Sequence, residues 1–240
     1  MHIDQQPAYV LHVRPYRETS LLLECLTRDH GRLGVVARGV RSERGRLLRS
    51  QLEPFQPIML DLLLRGELAT LRRVDTAAVL SRLQGSATMA GLYVNELVVR
   101  LTGRQDPHPT LFDAYGQALG RLADGEPLAW TLRRFERDLL DAIGYGLQLD
   151  FDAATGQPLL PDGAYRYDVE QGPCVVAAGT PRALRGADLL ALADDRAPDS
   201  AGLAALRDMM REVIRFHLGG AELRAWRVLG AALATRRDQA

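Results

Sequence analysis

A change of hydrophobic period near Leu80 constrains this chain more than any other feature. From Tyr9 to about Val79 the apolar residues come in short runs broken by turn residues, and beyond Leu80 they recur every three to four positions. The first part reads as β-structure: a short strand at Tyr9–Val13, interrupted by Pro15 and Tyr16, then Ser20–Thr27. A tight turn at His30 and Gly31 leads into a strand at Arg32–Ala37, and two more follow at Pro57–Leu64 and Leu68–Leu80 across Arg65 and Gly66. About five strands in so short a stretch suit a small closed barrel, because closure removes edges that a small sheet cannot protect. An OB-type barrel is the natural candidate, with an SH3-like barrel or an open sheet as competitors.

The second part reads as helices. Ser86 is a candidate N-cap for a helix to about Leu101, stopped by Gly103, and helices are expected over Thr110–Ala123 and Leu128–Ile143. A segment rich in Gly, Pro and Asp, about 150–178, reads as an irregular insertion with short strands near Tyr165–Asp168 and Cys174–Ala177. Helical spacing resumes at Gly186–Ala193, Ser200–Leu218 and Glu222 to about Arg236. The expected class is therefore α+β, with a barrel domain over 1–80 and a helical domain with an insertion over 81–240.

Charge is unevenly placed in a chain that is neutral overall. The run GRLGVVARGVRSERGRLLR, from Gly31 to Arg49, holds Arg32, Arg38, Arg41, Arg44, Arg46 and Arg49 against Glu43 alone. A strand opening into an arginine-dense loop has the pattern of a phosphate-binding surface, and nucleic acid is the first partner it suggests; the plainer reading is a solvated loop. Tyr9, Tyr16 and Phe55 are available nearby for base stacking, although core packing is the favoured reading of Tyr16 and Phe55. With aromatic residues at only 6%, binding would lean on phosphate contacts.

Other chemistries find little support. There is no Walker-type phosphate loop, no dinucleotide-binding glycine motif, no nucleophile elbow and no HExxH, so no catalytic residue is assigned. Cys25 and Cys174 both sit in apolar runs, read as reduced buried thiols, and with five scattered histidines they assemble no metal site; no cofactor is expected. Asp150 and Asp152 keep a metal-dependent nuclease open as a rival, and a protein-interaction adaptor that does not touch DNA is another. With no stretch suited to a bilayer and no signal-peptide pattern at its start, the chain is expected to be cytoplasmic. In TLRRFERDLLDAIGYG, Leu132, Phe135, Leu139, Leu140 and Ile143 form one apolar face, with Arg133 and Arg134 outside it. That is an ordinary amphipathic helix, or else an arginine-rimmed groove for a peptide ending in acidic and bulky apolar residues.

Three stretches, YVLHVRPYRETSLLLECLTRDHGRLGVVARGVR, GLYVNELVVRL and LRRFERDLLDAIGYG, together resemble the bacterial RecO family of recombination mediators over residues 8–150, and the C-terminal third only loosely. The specific elements are RPxxETSxxL followed by a GR turn, then VAxGxR and YxNEL. The resemblance implies an N-terminal OB-fold and a helical domain. It implies binding to single- and double-stranded DNA, annealing of complementary strands, and engagement of the acidic C-terminal tail of single-stranded-DNA-binding protein. It also implies action with RecR to load RecA, at the nucleoid. Carried over by motif, Arg38 and Arg41 are the first DNA contacts, with Arg44, Arg46 and Arg49 added by charge and proximity. The tail site falls on Arg133 for the carboxylates and on Ile143 and Leu147 for the terminal ring. Where zinc-bearing relatives place four cysteines this insertion has Cys174 alone, so it is expected to fold without metal.

Overall fold

A computed structural model describes residues 1–41, 46–78 and 80–226. By internal contact the chain forms two compact units, one of Met1–Glu126 with the segment from Leu223, the other of Pro127–Glu222.

The first unit contains a closed five-stranded barrel: β1 (His2–Tyr16), β2 (Ser20–Thr27), β3 (Gly31–Ala37), β4 (Pro57–Arg65) and β5 (Leu68–Thr76), in the order β1-β2-β3-β5-β4 with β4 pairing back onto β1. All pairings are antiparallel except β3 with β5, a three-residue parallel contact through Gly34, Val35 and Val36. This is the expected OB-like barrel. Its core follows from alternation: Val10, Leu23, Cys25, Val35, Ile58, Leu60 and Leu62 point inward and are almost wholly buried. Each large aliphatic among them contributes about 1.5–3 kcal/mol by leaving water.

Two local expectations are corrected. Pro15 does not interrupt β1, which runs unbroken from His2 with Pro7 also inside it. The register shifts between Ile3 and Gln6 and again between Val10 and His12, so Pro7 follows one bulge and Pro15 sits next to the strand's last residue, where a missing N–H is tolerated. The arginine-rich stretch is not all loop, because α1 (Arg46–Gln51) forms within it. Leu48 packs against the barrel core and Leu52, four residues on, is buried, which gives one turn of helix an apolar anchor.

Helices α2 (Gly85–Leu101) and α3 (Pro109–Ala123) belong to the same compact unit as the barrel. Ser86 is not the N-cap: Gln84 holds that position without a side-chain bond, and further along the helix Gly91 packs so closely that a Cβ there would lie 2.9 Å from both Leu83 and Phe55. The YxNEL stretch is structural. Asn95 donates Nδ2–H to the Leu11 carbonyl at 2.8 Å and accepts from the Tyr115 hydroxyl at 2.6 Å, joining β1, α2 and α3 through one buried amide. Glu96 accepts the backbone N–H groups of Arg224 and Ala225, each at 2.8 Å.

The second unit is built from α4 (Leu128–Ala142), a small sheet, α5 (Gly186–Ala193) and α6 (Ser200–His217), whose N-cap Asp199 accepts from Gly202 N–H at 2.7 Å. The sheet orders β7 (Gly172–Val175), β6 (Ala164–Asp168) and β8 (Leu184–Arg185); the two-residue β8 was not foreseen. Cys25 is fully buried, and burial pushes its thiol pKa up, whereas Cys174 is only half-buried. The helix expected from Glu222 to Arg236 lies largely outside the described residues. Among the described residues no helix is long and apolar enough to cross a membrane.

Candidate nucleic-acid interface

One end of the barrel gathers arginines from two strands that are apart in sequence. The β1–β2 hairpin turns through Arg17, which takes a left-handed conformation (φ 53°). The chain leaving β3 passes Arg38 and Gly39 (φ 71°) and is tied back to that turn: Arg41 N–H donates to the Thr19 carbonyl at 2.9 Å, and its guanidinium to the Arg17 carbonyl at 3.2 Å. Arg17, Arg38 and Arg41 are all exposed there with Glu18 as the one acidic neighbour in the turn. Guanidiniums at this density offer forked donors to phosphate oxygens. Arg49 is exposed on α1; Arg46 belongs to that helix, but its side chain, like all of Arg44, lies outside the described residues.

Of the three candidate stacking rings, none is freely offered. Tyr9 is buried against Phe112 and Tyr115 on α3, with ring centroids 5.1 and 4.9 Å away, and its hydroxyl fills the space a Cβ at Gly116 would occupy. Burial, helped by the nearby Asp113 charge, raises its pKa. Phe55 packs against Gly91 of α2. Tyr16 is half-buried, with the Arg17 guanidinium 5.3 Å from its ring centre. The barrel end is thus equipped for phosphates more than for bases.

The residues assigned to a partner's tail are not brought together. Arg133 falls on the buried face of α4, where its Nε and Nη2 donate to the two carboxylate oxygens of Glu136 at 2.7 and 2.5 Å. The buried stripe is therefore wider than the apolar pattern, because this pair neutralises itself one turn apart. Arg134 and Arg137 both pair with Asp195, and Arg137 also donates to the Leu192 carbonyl at 2.6 Å. Leu147 lines a cleft of about 260 Å³ with Leu149 and Ala193, but Asp138, Asp141 and Asp150 outnumber Arg137 there, the wrong balance for an acidic peptide. Ile143 is the half-buried C-cap of α4 and does not line that cleft.

An exposed aromatic group beside those residues was missed. Tyr145 stacks on His217, centroids 4.2 Å apart, and Phe216 meets the same ring edge-on at 5.4 Å. Tyr145 and Phe216 stay about half exposed, at 53% and 50%, and Arg211 and Arg215 are exposed on the same helix. Phe216 carried a legible signal, since it falls off the buried stripe of Leu206, Met210, Val213 and Ile214.

Asp152 does not fit the nuclease reading. Its carboxylate accepts from the Thr155 hydroxyl at 2.6 Å and from the Val175 and Ala154 amides at 3.1 and 3.3 Å. The Thr155 hydroxyl and then those amides hold its pKa below the usual carboxylate value, so it serves as a loop staple. Among the described residues no three His, Cys, Asp or Glu side chains are placed to share a metal ion.

Family models account for nearly the whole chain: recombination protein O N terminal matches residues 1–80, and recombination protein O C terminal matches residues 82–227. A DNA repair protein RecO of Stenotrophomonas maltophilia strain R551-3 is 49% identical over 233 residues, covering 95% of this chain and 97% of that protein. The one from strain K279a is 48% identical over 241 residues, covering 99% and 100%. A DNA repair protein RecO of Xanthomonas euvesicatoria pv. vesicatoria is 45% identical over 242 residues, again covering 99% and 100%. With both parts of the sequence matched and its relatives nearly half identical from end to end, the chain belongs to the recombination protein O family.

Proposed function

We propose that the chain is a DNA repair and recombination mediator that binds single- and double-stranded DNA through the basic end of its barrel and anneals complementary strands. It engages the tail of single-stranded-DNA-binding protein through its second unit and, with RecR, promotes RecA loading in the cytoplasm at the nucleoid. The observation that carries the DNA reading is the convergence of Arg17, Arg38 and Arg41 on one tied-down barrel end in a chain of zero net charge. Annealing then needs no covalent step: arginines screen the repulsion between two polyanions, and released counterions supply the driving force. Family membership supports the remaining partners.

We place the tail away from Arg133. With Arg133 occupied by Glu136, the surface that suits an acidic tail ending in a bulky ring is Tyr145, His217 and Phe216 with Arg215, next in sequence to Ile143 and Leu147. An annealing assay with fluorophore- and quencher-labelled complementary strands tests both parts. The full chain is expected to anneal bare strands, and to anneal strands coated by single-stranded-DNA-binding protein only when that protein keeps its tail. Phe216→Ala is expected to lose the coated reaction and keep the bare one. No acceleration of bare strands would contradict the DNA reading, and an unaffected Phe216→Ala would move the tail elsewhere.

A further inference from the structure

The outer face of the barrel carries a second basic site that the arginine-rich run does not explain. A cleft of about 280 Å³ is lined by His12 and Arg14 of β1, Leu22, Leu23 and Glu24 of β2, Arg32 of β3, and Val99 and Arg104 beyond them. Strand register puts these side chains side by side: His12 faces Glu24, Arg14 faces Leu22, and Glu24 and Leu22 face Gly34 and Val36.

Glu24 organises the cleft. Arg32 Nη1 donates to its Oε1, while Arg104 donates Nε–H to Oε1 at 3.3 Å and Nη2–H to Oε2 at 2.8 Å. Arg32 is fixed from behind by Thr102, through the carbonyl at 2.8 Å and the hydroxyl at 3.3 Å. Arg104 lies over β3 at Gly34, where a Cβ would meet its guanidinium in ordinary contact at 3.5 Å, while Leu68 Cδ2, at 2.7 Å, is what requires glycine there. Arg14 is exposed and makes no ion pair or hydrogen bond through its guanidinium among the described residues. Arg32 and Arg104 share the Glu24 carboxylate and Arg14 stands apart from it, so the lining holds three guanidiniums against one carboxylate, a surplus of two positive charges.

The alternation along β3 links this cleft to the barrel end. Leu33, Val35 and Ala37 enter the core, so Arg32, Gly34 and Val36 face outward, and Arg38 continues their row. From Arg32 to Arg38 is about 20 Å at 3.3 Å per residue. We propose that the cleft holds a phosphodiester of the same single DNA strand that meets Arg38 and Arg41, so that the strand runs along the outside of β1, β2 and β3. Arg14 and Arg104 supply the charge, and Leu22 and Val99 supply an apolar wall for the adjoining sugar. The inference rests on the reading that Arg38 and Arg41 contact DNA.

The test is fluorescence anisotropy of a labelled oligothymidylate titrated with the full chain over a salt series. Arg14→Ala, which removes no hydrogen bond or ion pair among the described residues, is expected to bind about five-fold more weakly and to flatten the salt slope by about 0.7, the signature of one lost phosphate on a single strand. Arg14→Glu is expected to weaken binding further, while Arg166→Ala on β6, a matched loss of charge, is expected to leave it unchanged. Wild-type affinity and slope in both Arg14 variants would overturn the proposal and leave an acidic protein segment as the cleft's occupant. The Arg38→Glu/Arg41→Glu variant in the same titration separates the two claims: if it loses binding while the Arg14 variants do not, only the strand path fails, and if none of them changes, the DNA reading fails with it.

Discussion

Replacing Arg38 and Arg41 together by glutamate is expected to weaken single-strand binding by on the order of 100-fold at about 0.1 M salt while leaving the fold intact. Both side chains are exposed, and neither forms an ion pair among the described residues, so their replacement leaves no buried charge behind. The Arg41 guanidinium donates one bond, to the Arg17 carbonyl, and its loss is a surface effect; the segment stays tied by the Arg41 backbone N–H. What changes is the field at the barrel end: two phosphate partners disappear and two repulsive charges take their place. Equilibrium titration measures it, with a melting curve matching wild type as the control for folding. Full affinity in the folded variant would remove these arginines from the interface.

The opposite profile, a large loss of stability, is expected at α4. Arg133→Ala leaves the Glu136 carboxylate wholly buried with its bidentate partner gone, and breaking such a pair from one side costs about 3–5 kcal/mol. That is a large share of the margin by which a domain is folded. Glu136→Ala is expected to cost a similar amount by stranding Arg133. Arg133→Met with Glu136→Leu, which removes both charges and keeps the volume, is expected to recover most of the loss, because the pair's desolvation then no longer has to be offset. Denaturant unfolding of the three variants measures this. A stable Arg133→Ala protein would mean that Arg133 is free to meet a partner after all.

The barrel was legible because strand alternation and turn residues are local signals, and so were α3, α4, α5 and α6, whose apolar spacing spans several turns. What the sequence concealed depends on burial, on where an element ends, or on contacts distant along the chain. Pro15 looks like a strand breaker until β1 is seen to end one residue later. Tyr9 looks like a stacking ring until α3 is placed over it, with Gly116 making the room. Arg133 looks like a surface cation because the helical pattern counts charges as exposed, and only its partner one turn on reveals a buried pair. The cleft at Arg14 and Arg104 was invisible for a different reason, since Arg104 lies 80 residues from the Glu24 that positions it. That Arg38 and Arg41 lie exposed on one surface was legible because a strand and its exit loop carry them in one motif.

The most direct test of the central claim is the salt dependence of wild-type binding to single-stranded DNA. The logarithm of the association constant is expected to fall linearly with the logarithm of salt concentration, with a slope of about −2 or steeper, as three or more phosphate contacts at about 0.7 each require. A slope near zero, or no binding at low salt, would contradict a barrel whose basic end holds DNA and would favour an adaptor that meets its partners through protein surfaces alone.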